Sequence, residues 1–141
     1  MAMKFASRLN TVKVLLKKFE MQDVEHILRL YSEDAVFTDP HYDPPIMKGK
    51  SEIRVGLEKA FQQIRKSDFK IRKFYGNKNS IVFLVNTKHQ LLNSTVLEFS
   101  QVFIVEFNNS IIENMEVYLF NPPMSPPFIF RALKNWFLSR V

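Results

Sequence analysis

The chain has 141 residues, a formal net charge of +6, 46% hydrophobic and 24% charged residues, which is one globular domain by length and not a disordered segment. It contains no cysteine, so disulfides, thiolate metal sites and a cysteine nucleophile are excluded. Fourteen phenylalanines stand against three glycines, enough ring volume for a thick core or for a cavity lined with aromatic side chains.

The N-terminal segment carries Leu9, Val12, Leu15, Leu16 and Phe19 at spacings of three and four, so a helix is predicted over 7–19, with Lys13, Lys17 and Lys18 on its other side. Those lysines break the apolar stretch that a signal peptide requires. No apolar run is long enough to span a bilayer, and a soluble, cytoplasmic protein is expected. Basic residues are spread from Lys4 to Arg140 without a zinc-finger or RNP-like pattern, so nucleic acid is not an expected partner. Three scattered histidines offer no ligand spacing, so neither a metal nor another cofactor is expected.

Asp23 reads as the N-cap of a second short helix through Ile27, Leu28 and Tyr31. A strand is predicted at Ala35–Thr38, closed by Asp39-Pro40, since proline cannot donate to a ladder. The polar loop HYDPPIMKGK follows, and Ser51 is positioned to cap a third helix whose buried face is Ile53, Leu57, Phe61 and Ile64. The period then changes to two. Strands are predicted over 68–75, 79–92, 95–107 and 111–120, separated by turn residues at 76–79, 93–94 and 108–110. They form an antiparallel meander.

Polar residues on otherwise apolar strand faces are the informative ones, because their burial requires a partner or a cavity. Gln101 shares a face with Leu97, Phe99, Phe103 and Phe107, while Thr87 and His89 continue the face of Ile81, Phe83 and Val85. Met115 and Val117 face inward, and Tyr118 reaches the interior only if that register is shifted by one. The outward set Val96, Glu98, Ser100, Val102 and Ile104 is apolar enough for a homodimer interface through the sheet. Residues 121–127 hold four prolines, and 128–141 read as a basic amphipathic helix that packs on the domain or on a twin subunit, or else lies on a membrane surface.

The element order and the stretch YSEDAVFTDP together resemble the NTF2-like superfamily, in its SnoaL-like and ketosteroid-isomerase-like branch. Leu30, Tyr31, Asp34, Ala35, Asp39 and Pro40 carry the signature, with Gly49 and Ile53 after it. The likeness covers about residues 7–120 of a single domain, 1–141. It implies an α+β cone, a strongly bent antiparallel sheet wrapped around three helices with a pocket in the open end. It also implies that Asp39 holds the position of the isomerase general base. The positions of the isomerase oxyanion donors fall on Leu15 and near Phe103, neither of which donates. Substitute donors are Gln101, His89, His41, Tyr42 and Tyr118. An Asp–His pair of the dehydratase kind would join Asp39 to His41 or His89, whereas 79–120 contain no Asp or Arg for an epoxide-hydrolase constellation. The expected pocket lining is Leu15, Phe37, Tyr42, Phe61, Phe99, Gln101, Phe103 and Met115. The expected ligand is an apolar small molecule, and the chemistry is proton transfer by Asp39 in an isomerase, cyclase or dehydratase. Asp39 as a plain turn cap, in a non-catalytic interaction or dimerisation module, is the alternative. An open cavity ending at Asp39 would favour the ligand, and a cavity filled with phenylalanine would favour the module.

Overall fold

A computed structural model describes the backbone from Ala2 to Phe120, with side chains from Phe5, and three helical residues beyond it, Lys134, Trp136 and Leu138. The expectations for 121–133 and for most of the terminal helix lie outside the described residues. Between Ala2 and Phe120 three helices and six strands follow in order: α1 (Ala2–Met21), α2 (Val24–Arg29), β1 (Tyr31–Thr38), β2 (Ile46–Lys48), α3 (Gly49–Gln63), β3 (Ile64–Gly76), β4 (Ser80–Leu91), β5 (Val96–Asn108) and β6 (Ile111–Phe120).

The strands form one sheet in the order β2-β1-β6-β5-β4-β3. The last four make the antiparallel meander, and β1 joins its β6 edge in parallel, Phe37 opposite Met115. Register shifts interrupt β3 after Ile64 and after Ile71, and β6 at Glu113, opposite the step from Glu106 to Phe107 of β5. Each adds a residue on one strand only, and such bulges bend a sheet and increase its twist. The curled, unclosed sheet thus receives α1 and α3 in its hollow. Val12, Leu15, Leu16 and Phe19 of α1, Ile53 and Leu57 of α3, and Phe83, Phe103, Val105 and Met115 of the sheet form one continuous core. Phe83 and Phe103 stack across β4 and β5 with ring centroids 4.9 Å apart and planes 6° apart.

Several boundaries depart from the sequence reading. Tyr31 does not belong to the second helix; it opens β1 and is buried, its hydroxyl 3.6 Å from Met115 Sδ. α1 ends instead at Gln22, with φ 56°, where Gln22 N donates to Phe19 O and Asp23 N to Lys18 O, a Schellman closure. Asp23 then caps α2 through His26 N as its residue type predicts.

Ser51 is not the cap of α3. That helix starts two residues earlier, at Gly49, and Glu52 reaches back to accept from Lys48 N at 2.6 Å. Gly49 has φ 82°, and an added Cβ would sit 3.4 Å from Glu33 O, so the sharp entry from β2 into α3 uses the left-handed freedom of glycine. Ile64 is likewise not on the face of α3 but is the first residue of β3. No described helix is long and apolar enough to cross a membrane.

Candidate functional site

The open end of the cone holds a cavity of about 560 Å³. Helix α1 contributes Leu16 and Phe19, the end of β1 Phe37 and Asp39, the following turn His41 and Tyr42, α3 Gly56 and Phe61, and the sheet Ser67, Phe69, His89, Gln101 and Phe103. Phenylalanine rings and aliphatic side chains make the apolar part of the wall, and polar groups converge on it, a composition suited to a small-molecule site. A wider groove of about 1110 Å³ lies at the opposite end, between Phe5, the β3–β4 turn and Phe107. Its ionisable lining residues Lys78, Glu106 and Glu113 are all exposed. Of the buried charged residues, Arg8 packs over Phe107 and Asp39 lines the smaller cavity.

Asp39 is 5% exposed and serves two purposes at once. Its Oδ1 accepts the backbone N–H of His41 at 2.9 Å, and its carbonyl accepts Tyr42 N at 3.1 Å, which closes the turn. The same Oδ1 lies 2.5 Å from His41 Nδ1. A carboxylate only accepts, so His41 donates from Nδ1. Both His41 bonds fall on Oδ1, so Oδ2 is the carboxylate atom left to meet a ligand. The turn cap and the pocket carboxylate are one residue.

Proline fixes this geometry. Pro40 ends β1, and Asp39 N donates to Pro45 O at 2.9 Å, folding the loop back on itself. Tyr42 is thereby laid edge-on against Phe37, centroids 5.2 Å apart. Burial, then the charge of Asp39, then Tyr31 hold its phenol well above the usual range, so Tyr42 stays a neutral hydroxyl. Its ring and Met47 press against α3 at Gly56, where an added Cβ would sit 2.3 Å from Met47 Sδ and 3.3 Å from Tyr42 Cδ1.

His89 occupies the sheet wall. Its Nδ1 is 2.7 Å from Ser67 Oγ, directly across β3 and β4. Its pKa is pulled down to about 4, chiefly by burial and further by His41, against an opposing pull from Asp39, so the ring is neutral at pH 7. The ring of Phe99 stands between the two imidazoles, 5.1 Å from His41 and 5.4 Å from His89.

Asp39, His41, His89, Phe37, Tyr42, Phe61, Gln101 and Phe103 are therefore brought to one cavity. Leu15 and Met115 are not: both are fully buried in the core, and Leu16, one position round the helix, faces the cavity instead. Phe99 touches both imidazoles without being among the residues that line the space. Gln101 Nε2 donates to Thr87 Oγ1 at 2.8 Å, so its amide is occupied by a neighbouring strand. Tyr118 lies on the outer face, half exposed, and its hydroxyl donates to Glu116 at 2.7 Å; it takes no part in the cavity. Ser67, Gly56 and Phe69 were not anticipated. The alternation Ser67, Phe69, Ile71 was the available signal, and it starts before the strand boundary drawn from sequence. Among the described residues no group of three His, Asp or Glu is placed to hold a metal ion.

The model of the SnoaL-like domain matches residues 12–114, which span the helices, the turn at Asp39 and most of the sheet. The chain belongs to the SnoaL-like family. No curated protein matches it. Among solved structures, an NTF2-like protein of unknown function from Burkholderia pseudomallei is 18% identical with a TM-score of 0.72, covering 81% of this chain and 91% of that one. Rv0760c from Mycobacterium tuberculosis, solved with estradiol-17β-hemisuccinate, is 17% identical with a TM-score of 0.70, over 82% and 95%. SalBIII, an epoxide hydrolase/cyclase-like enzyme of pyran ring formation in the polyether salinomycin, is 16% identical with a TM-score of 0.70, over 81% and 91%. At these identities the likeness concerns the fold, an NTF2-like cone.

Proposed function

We propose that this SnoaL-like protein binds an apolar small molecule in the 560 Å³ cavity and moves a proton on a carbon next to its carbonyl group. The observation that carries the reading is the Asp39–His41 pair, a buried carboxylate and a half-buried imidazole joined at 2.5 Å in the wall of a cavity with much apolar surface. Asp39 Oδ2 is the base, taking the proton from one carbon and returning it to a second, and His41, held by Oδ1, steadies the carboxylate. Such transfers require a base within hydrogen-bond reach and in a water-poor site. A neighbour solved with estradiol-17β-hemisuccinate and another that acts in pyran ring formation support a ligand of about that size with a mainly apolar body. Isomerisation, cyclisation or dehydration of an apolar carbonyl compound is the reaction class.

Proton transfer of this kind exchanges the α-hydrogens of a bound ketone with solvent. The test is loss of the α-proton NMR signals of cyclic ketones in D2O. Wild type is expected to speed the exchange and Asp39→Asn to return it to the uncatalysed rate. Equal rates for the two proteins would remove the base from the account and leave a binding protein.

A partner role is favoured by a separate feature. Val96, Tyr118 and Phe120 are about half exposed on the outer face of the sheet, beside Val102 and Ile104. We propose that this face joins two copies in a homodimer, which leaves both cavities open. Equilibrium sedimentation of wild type and Tyr118→Glu tests it, with a dimer expected for the first and a monomer for the second.

A further inference from the structure

Ser67 and His89 are a cross-strand pair, each part of the cavity wall, and Ser67 Oγ lies 2.7 Å from His89 Nδ1. Neither side chain makes another hydrogen bond among the described residues. Ser67 is 7% exposed, so its hydroxyl proton has this one acceptor or none. Two arrangements are open to the pair. If Nδ1 carried the proton, it would donate to Ser67, and both the serine proton and the Nε2 lone pair would be left unmet. If Ser67 donates to Nδ1, a single group is left over, the Nε2–H of His89. Buried polar groups settle in the arrangement with fewer unmet partners. His89 therefore shows the cavity a proton donor on Nε2, while the Nδ1 of His41 is spent on the Asp39 carboxylate.

We propose that His89, fixed by Ser67, is the donor that takes the carbonyl oxygen of the ligand, and that the ligand is a neutral ketone and not a carboxylate. This rests on the reading of the cavity as a proton-transfer site and supplies the piece it lacks, since Leu15 is packed in the core and Gln101 is engaged with Thr87. A neutral imidazole suits an oxygen that gains charge only as the proton leaves carbon, because a fixed hydrogen bond strengthens as that charge develops. The selection against carboxylates follows from Asp39, which shares the space, and from the lining cation Lys59, which is exposed. Ser67 is a positioning residue, acting through the ring.

Long-range proton–nitrogen NMR of the free protein reads the tautomer directly. A proton on His89 Nε2 is expected, and a proton on Nδ1 overturns the inference whatever the ligand. The second measurement compares binding of 9-fluorenone with that of fluorene, the same shape without the oxygen. The preference for fluorenone is expected to fall about tenfold in His89→Leu, the size of one hydrogen bond. It should fall partly in Ser67→Ala and recover in Ser67→Thr. An unchanged preference in His89→Leu, or binding of fluorene alone by wild type, overturns the role of His89 while leaving the apolar pocket in place. Failure of both compounds to bind overturns the pocket itself.

Discussion

Acid titration of His89 gives the most quantitative prediction. In the unfolded chain this imidazole titrates near 6.5, whereas in the folded protein burial and His41 lower it to about 4. The folded state therefore resists protonation. Its advantage is complete above pH 6.5 and is lost as the pH falls towards 4, where the folded ring must also take a proton. At about 1.4 kcal/mol per pH unit the loss comes to about 3 kcal/mol, a large share of the stability of a domain this size. His89→Gln keeps a polar side chain but cannot titrate. Urea unfolding of both proteins at pH 7.5 and at pH 4 isolates the effect, because every other side chain is common to the two. Wild type is expected to lose about 3 kcal/mol more than the variant. A gap between the two proteins that stays constant over this range would refute a neutral, buried His89.

Three substitutions examine how the site is built. Asp39→Asn retains an oxygen for the turn N–H of His41, so its melting point should stay close to wild type, whereas Asp39→Ala loses the turn and the His41 anchor and should cost about 2 kcal/mol; melts of the pair separate capping from ligand contact. Gly56→Ala would drive a methyl group into Met47 Sδ and Tyr42, at a cost of about 1–3 kcal/mol for overpacking, with a changed near-ultraviolet circular dichroism signal from the displaced tyrosine. Gly49→Ala places a side chain at φ 82° and should cost about 1–2 kcal/mol in urea unfolding without altering ligand affinity.

The meander was legible because its strands alternate cleanly. The inward row from Ile81 through Phe83 and Val85 to Thr87 is buried as its period predicts. Errors fell where tertiary contacts override local signals. Tyr31 continues a helical spacing but enters β1, because its ring is buried beside Phe37 and its hydroxyl meets Met115. Ser51 has the chemistry of a cap, yet Gly49 allows the turn two residues earlier and Glu52 satisfies Lys48 N. In the site, the Asp39-Pro40 pair announced itself through turn chemistry and the family signature. The choice between cap and pocket carboxylate could not be made from sequence, since one oxygen atom performs the capping and the second is free for the cavity. Leu15 was misplaced by one helical position, a rotation of about 100° that periodicity alone does not fix. Ser67 was invisible because its meaning comes from His89, twenty-two residues away and directly across the strand pair.

The most direct test of the central claim is the melting point of wild type and Asp39→Asn with a panel of neutral apolar ketones. A ligand at a hundredfold its dissociation constant stabilises a fold by about 2.7 kcal/mol, several degrees in a domain of this size. The account predicts that at least one cyclic ketone raises the melting point of wild type and raises that of Asp39→Asn by a different amount. No shift of either protein with any ketone would make Asp39 a turn residue beside an unused cavity and would contradict the account.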